Sequence, residues 1–268
     1  MPDVLHYHFM QNAYVAGTLV ALLAGAVGYF VVLRGQSFVA HMLSQVGFPG
    51  AAAGVLVHVS PVLGLLAFCG AGAVAVGAVG RNLDAGHRSE SAAVGSILAF
   101  SLGLGLLFVR LHGGNLQSVY AFLFGTILGI TDVDVKLTLA VTVAGLAVLA
   151  VMGRPLVFAS VDPDVADARG VPVRTLSLAF LLVLALSVAI TVQIAGTLLI
   201  FALLVAPAAA ALQLMPRPAL GLVLSIALSL AVTWAGLALA YYTDYPVGFF
   251  VTTLAFGAYL ITRGVRAL

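Results

Sequence analysis

The chain has 268 residues and a formal net charge of +2, and only 7% of its side chains are charged while 63% are apolar. Soluble domains carry roughly 25% charged residues, so this composition and a mean hydropathy of +1.19 point to an integral membrane protein. So small a net charge argues for no nucleic-acid partner, and the single cysteine, Cys69, can form no intrachain disulfide.

Apolar runs of about 17 to 22 residues match a hydrocarbon core of roughly 30 Å. They read as helices, because a barrel would show alternation in segments of about 10 residues. In chain order the spans fall at residues 13–33, 38–58, 61–80, 92–110, 135–152, 174–193, 195–214, 219–240 and 246–263. The first has no basic leader and is followed by many more, so it reads as a genuine span and not a cleaved signal. The expected fold is all-α: one polytopic transmembrane helical bundle over residues 1–268, with nine crossings. Alternation then puts Arg34, Arg81, Arg88, Arg154, Arg169, Arg174, Arg217, Arg263 and Arg266 on one side, against Arg110 and Lys136 on the other. The positive-inside rule makes the arginine-rich side cytoplasmic, with the N-terminus outside and the C-terminus inside. Residues 118–130, SVYAFLFGTILGI, are too short for an ordinary span and read as a re-entrant or interfacial helix packed against protein.

Within the second span, QSFVAHMLSQVGFPG places His41 and Gln45 four residues apart, on one helix face. Polar groups without partners are costly in hydrocarbon, so the pair should face the bundle interior or a wet cavity. Pro49 and Gly50 follow at once, which suits a helix broken beside a translocation path. An interhelical hydrogen bond that merely holds two helices together is the competing reading. Small-residue stretches such as GAAAG at 50–54 and PAAAA at 207–211 allow helix backbones to approach closely.

After the fifth span comes GRPLVFASVDPDVADARGVPVR. Asp162 can cap a helix N-terminus, Pro163 suits its first position, Asp164 its first turn, and Gly170 a left-handed stop. The resulting helix, with Ala166 at its centre, is too short and polar to span. A capped surface helix of this kind is either an ordinary loop element or a docking element for a partner. Pro207 is expected to kink the seventh span and Asp244 to cap or gate the outer surface before the last, a purely structural role being the alternative for either. The outer histidines, His6, His8, His58 and His112, could touch a cation on its way in but read more simply as solvated, and His87 reads as an ordinary loop residue. Motifs for catalysis are missing: there is no HExxH, no GxSxG and no GxxxxGK[ST] phosphate loop in the sequence.

These stretches together carry a resemblance. GYFVVLRGQSF with GFPG, FLFGTILGITDVD, VDPDVADARGVPV, QIAGTLLIFALLVAPAAAA and AYYTDYPVG occur in order along nearly the whole chain. In this the chain resembles the membrane-permease subunits of bacterial ABC importers for divalent transition metals, the zinc and manganese uptake family. The resemblance implies a transport subunit of the bacterial inner membrane with no catalytic site or cofactor of its own. The implied partners are a cytosolic ABC ATPase, an extracytoplasmic metal-binding protein and a second copy of the chain. It also implies that the 162–170 helix is the coupling helix seated on the ATPase, and that His41 and Gln45 stand where the family places metal ligands. The family there carries an aspartate and a histidine, so both positions depart. His41 offers an imidazole nitrogen and Gln45 only a neutral carbonyl oxygen, which predicts a weak, transient site for zinc or manganese. A permease for a larger ligand such as a metal chelate, or an ATPase-independent transporter, would share much of the pattern.

Overall fold

The computed structural model describes residues 8–81, 86–111, 113, 125, 129–243 and 245–267. The described elements are helices: α1 His8–Leu33, α2 Ser37–Leu56, α3 Pro61–Arg81, α4 Gly86–Leu111, α5 Asp132–Val161, α6 Pro163–Ala168, α7 Val173–Leu214, α8 Pro218–Thr243 and α9 Val247–Ala267. Eight described stretches are long and apolar enough to cross a membrane, and residues 199–214 form a shorter apolar helix. The all-α polytopic bundle expected from the apolar runs is what the chain forms.

The contacts fix the direction of each helix. Asn12 at the start of α1 donates to Asp132 Oδ1 at the start of α5, 2.9 Å away. At the far ends, Arg34 donates to Ser160, so α1 and α5 run parallel. Helix α3 runs against α2, with Gly64 beside Gly50 and Cys69 Sγ 3.5 Å from the Leu43 carbonyl. Helix α4 runs with α2, since Gly95 lies near Phe38 and Gly105 near Phe48 and Pro49. Helix α8 runs against α1, with Gly25 packed on Ile226 and Gly17 on Thr233 and Leu237. Leu111 and Asp132 thus lie at the same end of the bundle. The re-entrant or interfacial helix expected over 118–130 falls almost entirely outside the described residues.

Helix α7 is not one rod. Phe180 packs edge-on against Phe30, and the backbone of Leu204 lies against Gly28. A straight helix would separate residues 180 and 204 by about 36 Å, yet their contacts on α1 are two residues, or about 3 Å, apart. The chain therefore folds back at Gly196, whose φ of 78° and ψ of 161° lie outside the helical region. The two spans expected to meet at residue 194 are these two arms, and the reversal sits two residues later.

Local chemistry sets the ends. Thr131 and Asp134 form a reciprocal capping box at the start of α5. Gly35 N donates to Val32 O and Gln36 N to Val31 O, the paired bonds of a Schellman turn that joins α1 to α2.

Packing is densest around α1 and the first arm of α7, whose span windows are each 72% buried, against 17% for α4 and α9, which present Leu106, Phe256 and Ile261 outward. Lipid is as apolar as these side chains, so association here rests on close packing and hydrogen bonds. Ser225 donates to the Gly25 carbonyl at 2.7 Å. A methyl group on Gly25 would meet Ile226 Cα at 2.7 Å, and one on Gly28 would overlap the Leu204 carbonyl. Gly28→Ala should therefore destabilise the bundle by about 1–3 kcal/mol, the usual cost of overpacking a tight interior. Gly70→Ala, where nothing lies within 4 Å of the added methyl, should not. Thermal unfolding midpoints of the two detergent-solubilised variants against the parent check this; equal losses would contradict the packing assignment.

Candidate functional site

His41 lies five residues into α2 and is half-buried. Its ring meets that of Phe201, on the second arm of α7, at 4.8 Å between centroids and 64°. Its Nδ1 is buried with no hydrogen-bond partner, so an interhelical hydrogen bond through that atom is not made. A buried polar atom left this way costs about 1–3 kcal/mol, and among the described residues His41 Nδ1 is one of a small set of such orphans. Gln45, one turn on and also half-buried, lies on the same face as His41. Between them Ser44 turns away and donates to the His41 carbonyl at 2.7 Å.

The break expected at Pro49 does not occur. Helix α2 continues through Pro49 to Leu56, because proline's fixed φ is itself helical and only one ladder bond is forfeited. Pro49 is buried, and the neighbouring Phe48 ring fills the space over Gly105 of α4. Gly50 has the predicted role of close approach: a methyl there would meet the Gly64 carbonyl at 2.5 Å. Pro207 is likewise buried within a continuing helical arm, and the residue that leaves helical geometry is Gly196, eleven positions earlier. Asp244 lies outside the described residues.

The break that sequence reasoning assigned to α2 is thus in α7. A reversal at one residue leaves the last carbonyls of one arm and the first N–H groups of the next without intrahelical partners. Gly125 packs against this tip, its α-carbon so near that a methyl would meet Ile194 O at 2.5 Å and Gly196 N at 2.6 Å. Thr197, the first residue beyond the break, is 1% exposed and its hydroxyl oxygen has no hydrogen-bond partner. Phe201, which touches His41, is one turn beyond Thr197 on the same helix face. The sequence held a signal for this in QIAGTLLIF, where a glycine sits among polar residues inside an apolar run. No group of three or more His, Cys, Asp or Glu side chains that could hold a metal occurs among the described residues. Gln45, on the His41 face, and Thr197, one turn from Phe201, are both neutral donors.

At the Arg34 end of the bundle, α6 has the expected construction. Asp162 Oδ1 accepts from Val165 N at 3.0 Å, Pro163 occupies the first turn with Asp164, and Gly170 takes φ of 81°. Gly170 N donates to Asp167 O and Val171 N to Ala166 O, a second Schellman turn. Ala166 is fully buried and anchors the helix, while Asp162, Pro163, Asp164, Val165 and Gly170 are exposed.

Comparison with known proteins places this architecture. Residues 6–265 match the family described as ABC 3 transport family. The chain is similar to the manganese import system permease protein ScaB of Streptococcus pneumoniae, 34% identical over 76% of this chain and 72% of that protein. It is also similar to the manganese transport system membrane protein MntC of Halalkalibacterium halodurans, 28% identical over 80% of this chain and 73% of that protein. Among solved structures, PsaBC from Streptococcus pneumoniae in complex with Fab superposes with a TM-score of 0.86 at 28% identity, covering 97% of this chain and 93% of that one. With a family match over nearly the whole length and a bundle of the same shape, the chain belongs to the ABC 3 transport family.

Proposed function

We propose that the chain is the membrane permease of an ATP-driven importer of a divalent transition metal, with manganese the favoured cargo. The observation that carries this reading is the imidazole of His41, its Nδ1 buried and unpartnered, beside the arm that follows the reversal at Gly196. Broken helices at membrane depth supply carbonyl dipoles for cations in transporters, and such irregular backbone is tolerated where it is covered by protein or lines a cavity. His41 would supply one nitrogen, and the Gln45 carbonyl and Thr197 hydroxyl would supply oxygens. Manganese accepts such a mixed set more readily than zinc, which favours nitrogen and sulfur. The names of ScaB and MntC, both of manganese systems, support the same cargo. Without a carboxylate the ion would be held weakly, which suits a path that must release it.

ATP hydrolysis would belong to a separate ATPase subunit docked on the exposed face of α6, which makes the Arg34 end cytoplasmic and the N-terminus external. A second copy of the chain would complete the path, and an extracytoplasmic binding protein would deliver the ion. Closure of the ATPases would then displace α6 and switch the permease between outward-open and inward-open states.

Two outcomes are expected of the complex reconstituted in vesicles. His41→Ala should lower ATP-dependent manganese uptake at least tenfold, and Thr197→Val several-fold, while the ATPase still copurifies; normal uptake in both would place the ion path elsewhere. Asp162→Ala removes an N-cap worth about 1 kcal/mol from a six-residue helix, so the ATPase copurifying with it should fall several-fold. Undiminished ATPase recovery would remove α6 from the docking surface.

A further inference from the structure

Arg34 follows the last residue of α1 and is half-buried. Its guanidinium reaches three parts of the bundle at once. Nη1 donates to Ser160 Oγ at 3.3 Å, Nη2 to Ser177 Oγ at 2.6 Å, and Nε to Gln36 Oε1 at 3.3 Å. Its Cζ lies 5.6 Å from the centroid of Phe180, the ring that packs on Phe30. Ser160 is in the last turn of α5 and Ser177 in the second turn of α7, so the two hydroxyls bracket α6 and its Schellman turn. Gln36 is the N-cap residue of α2, fixed to α1 by the turn through Gly35. His41 stands five residues further on.

We propose that Arg34 is the strut that carries movement of α6 to α2, and so a positioning residue for coupling nucleotide turnover to the ion path; this rests on the permease reading above. The planar guanidinium suits the task. It presents five N–H donors in a fixed fork, and so can hold acceptors on both flanks of α6 and on the cap of α2 in one geometry. A displacement of the α5–α6–α7 corner pulls on the α1–α2 turn through these bonds, and the turn is too tightly bonded to absorb it. Lysine, a point donor on a flexible stem, would reach one acceptor at a time.

The test uses the complex of the full chain with its ATPase in vesicles, in a Cys69→Ser background carrying Gln45→Cys as a reporter on α2. Its rate of reaction with a small water-soluble maleimide is measured with and without trapped nucleotide. In the presence of Arg34 the rate should change several-fold on trapping. In Arg34→Gln, and in the gentler Ser160→Ala plus Ser177→Ala variant, that change should vanish while ATP hydrolysis stays within about twofold. Arg34→Lys should restore part of it. Without the Gln45→Cys reporter, the same Arg34→Gln change should lower manganese imported per ATP hydrolysed at least tenfold. A purely structural role would lower expression and hydrolysis together and leave both the nucleotide response and the import ratio intact.

A response that survives in Arg34→Gln, or one missing from the complex that retains Arg34, overturns the strut. If the response behaves as expected but the parent complex imports no divalent metal, the cargo reading falls and the strut stands.

Discussion

A peptide group without a hydrogen-bond partner costs several kcal/mol in hydrocarbon, and the placement of irregular backbone in this bundle answers to that constraint. The described spans obey it by being helical throughout. The departure is at Gly196, where the chain reverses between two arms and its φ and ψ become accessible to glycine alone. The surrounding structure is arranged to tolerate it: Gly125 closes on the tip backbone to backbone, and the first arm of α7 is among the most deeply buried segments. A break that costs this much persists only where the rest of the fold over-determines it, and Thr197 and Phe201 set it one turn from the contact with His41.

The same solvent removes the usual reason for helices to associate. Leucine gains nothing by leaving lipid for protein, so the bundle is held where backbones touch: Gly25 on Ile226, Gly28 on Leu204 and Gly50 on Gly64. Helix α1 makes two of these contacts and accepts a hydrogen bond from Ser225 on its own backbone. It is the post against which both arms of α7 and all of α8 are set. Such contacts have short range, so neighbouring helices move as blocks or separate. A transport cycle built on this bundle would have to turn at its corners, which is where the Schellman turns and Arg34 are found.

The spans were legible in the sequence because their length is dictated by bilayer thickness, independently of what they pack against. The ends of α6 were legible for a different reason: Asp162, Pro163 and Gly170 act on backbone atoms within a few residues, and local rules suffice. The reversal between the sixth and seventh spans was located within two residues by length alone, although the polar neighbours of Gly196 in QIAGTLLIF were the only mark that set it apart among 29 glycines. Pro49 was misread because proline's local penalty was visible, while the packing of Phe48 against Gly105 was not. Arg34 was legible only as a charge. Its partners Ser160 and Ser177 are 126 and 143 residues away, a distance that no pattern in a single sequence spans.

The donors proposed beside His41, the Gln45 carbonyl and the Thr197 hydroxyl, are neutral, and this bears on how an ion could pass. In the interior, a carboxylate beside a dication would add attraction that grows as the dielectric falls, and the ion would be slow to leave. Imidazole, carbonyl and hydroxyl groups offer dipoles only, so most of the hydration energy would have to be recovered elsewhere along the path. The backbone groups that a helix reversal leaves without intrahelical partners are the other source the fold provides, and they lie on the arm that His41 touches. Affinity would then depend on how α2 and the tip of α7 are juxtaposed and less on the identity of any one side chain. A path of that kind is opened and closed by moving helices relative to one another, and α2 is tied at its N-cap residue, Gln36, through Arg34 to the corner that bears α6.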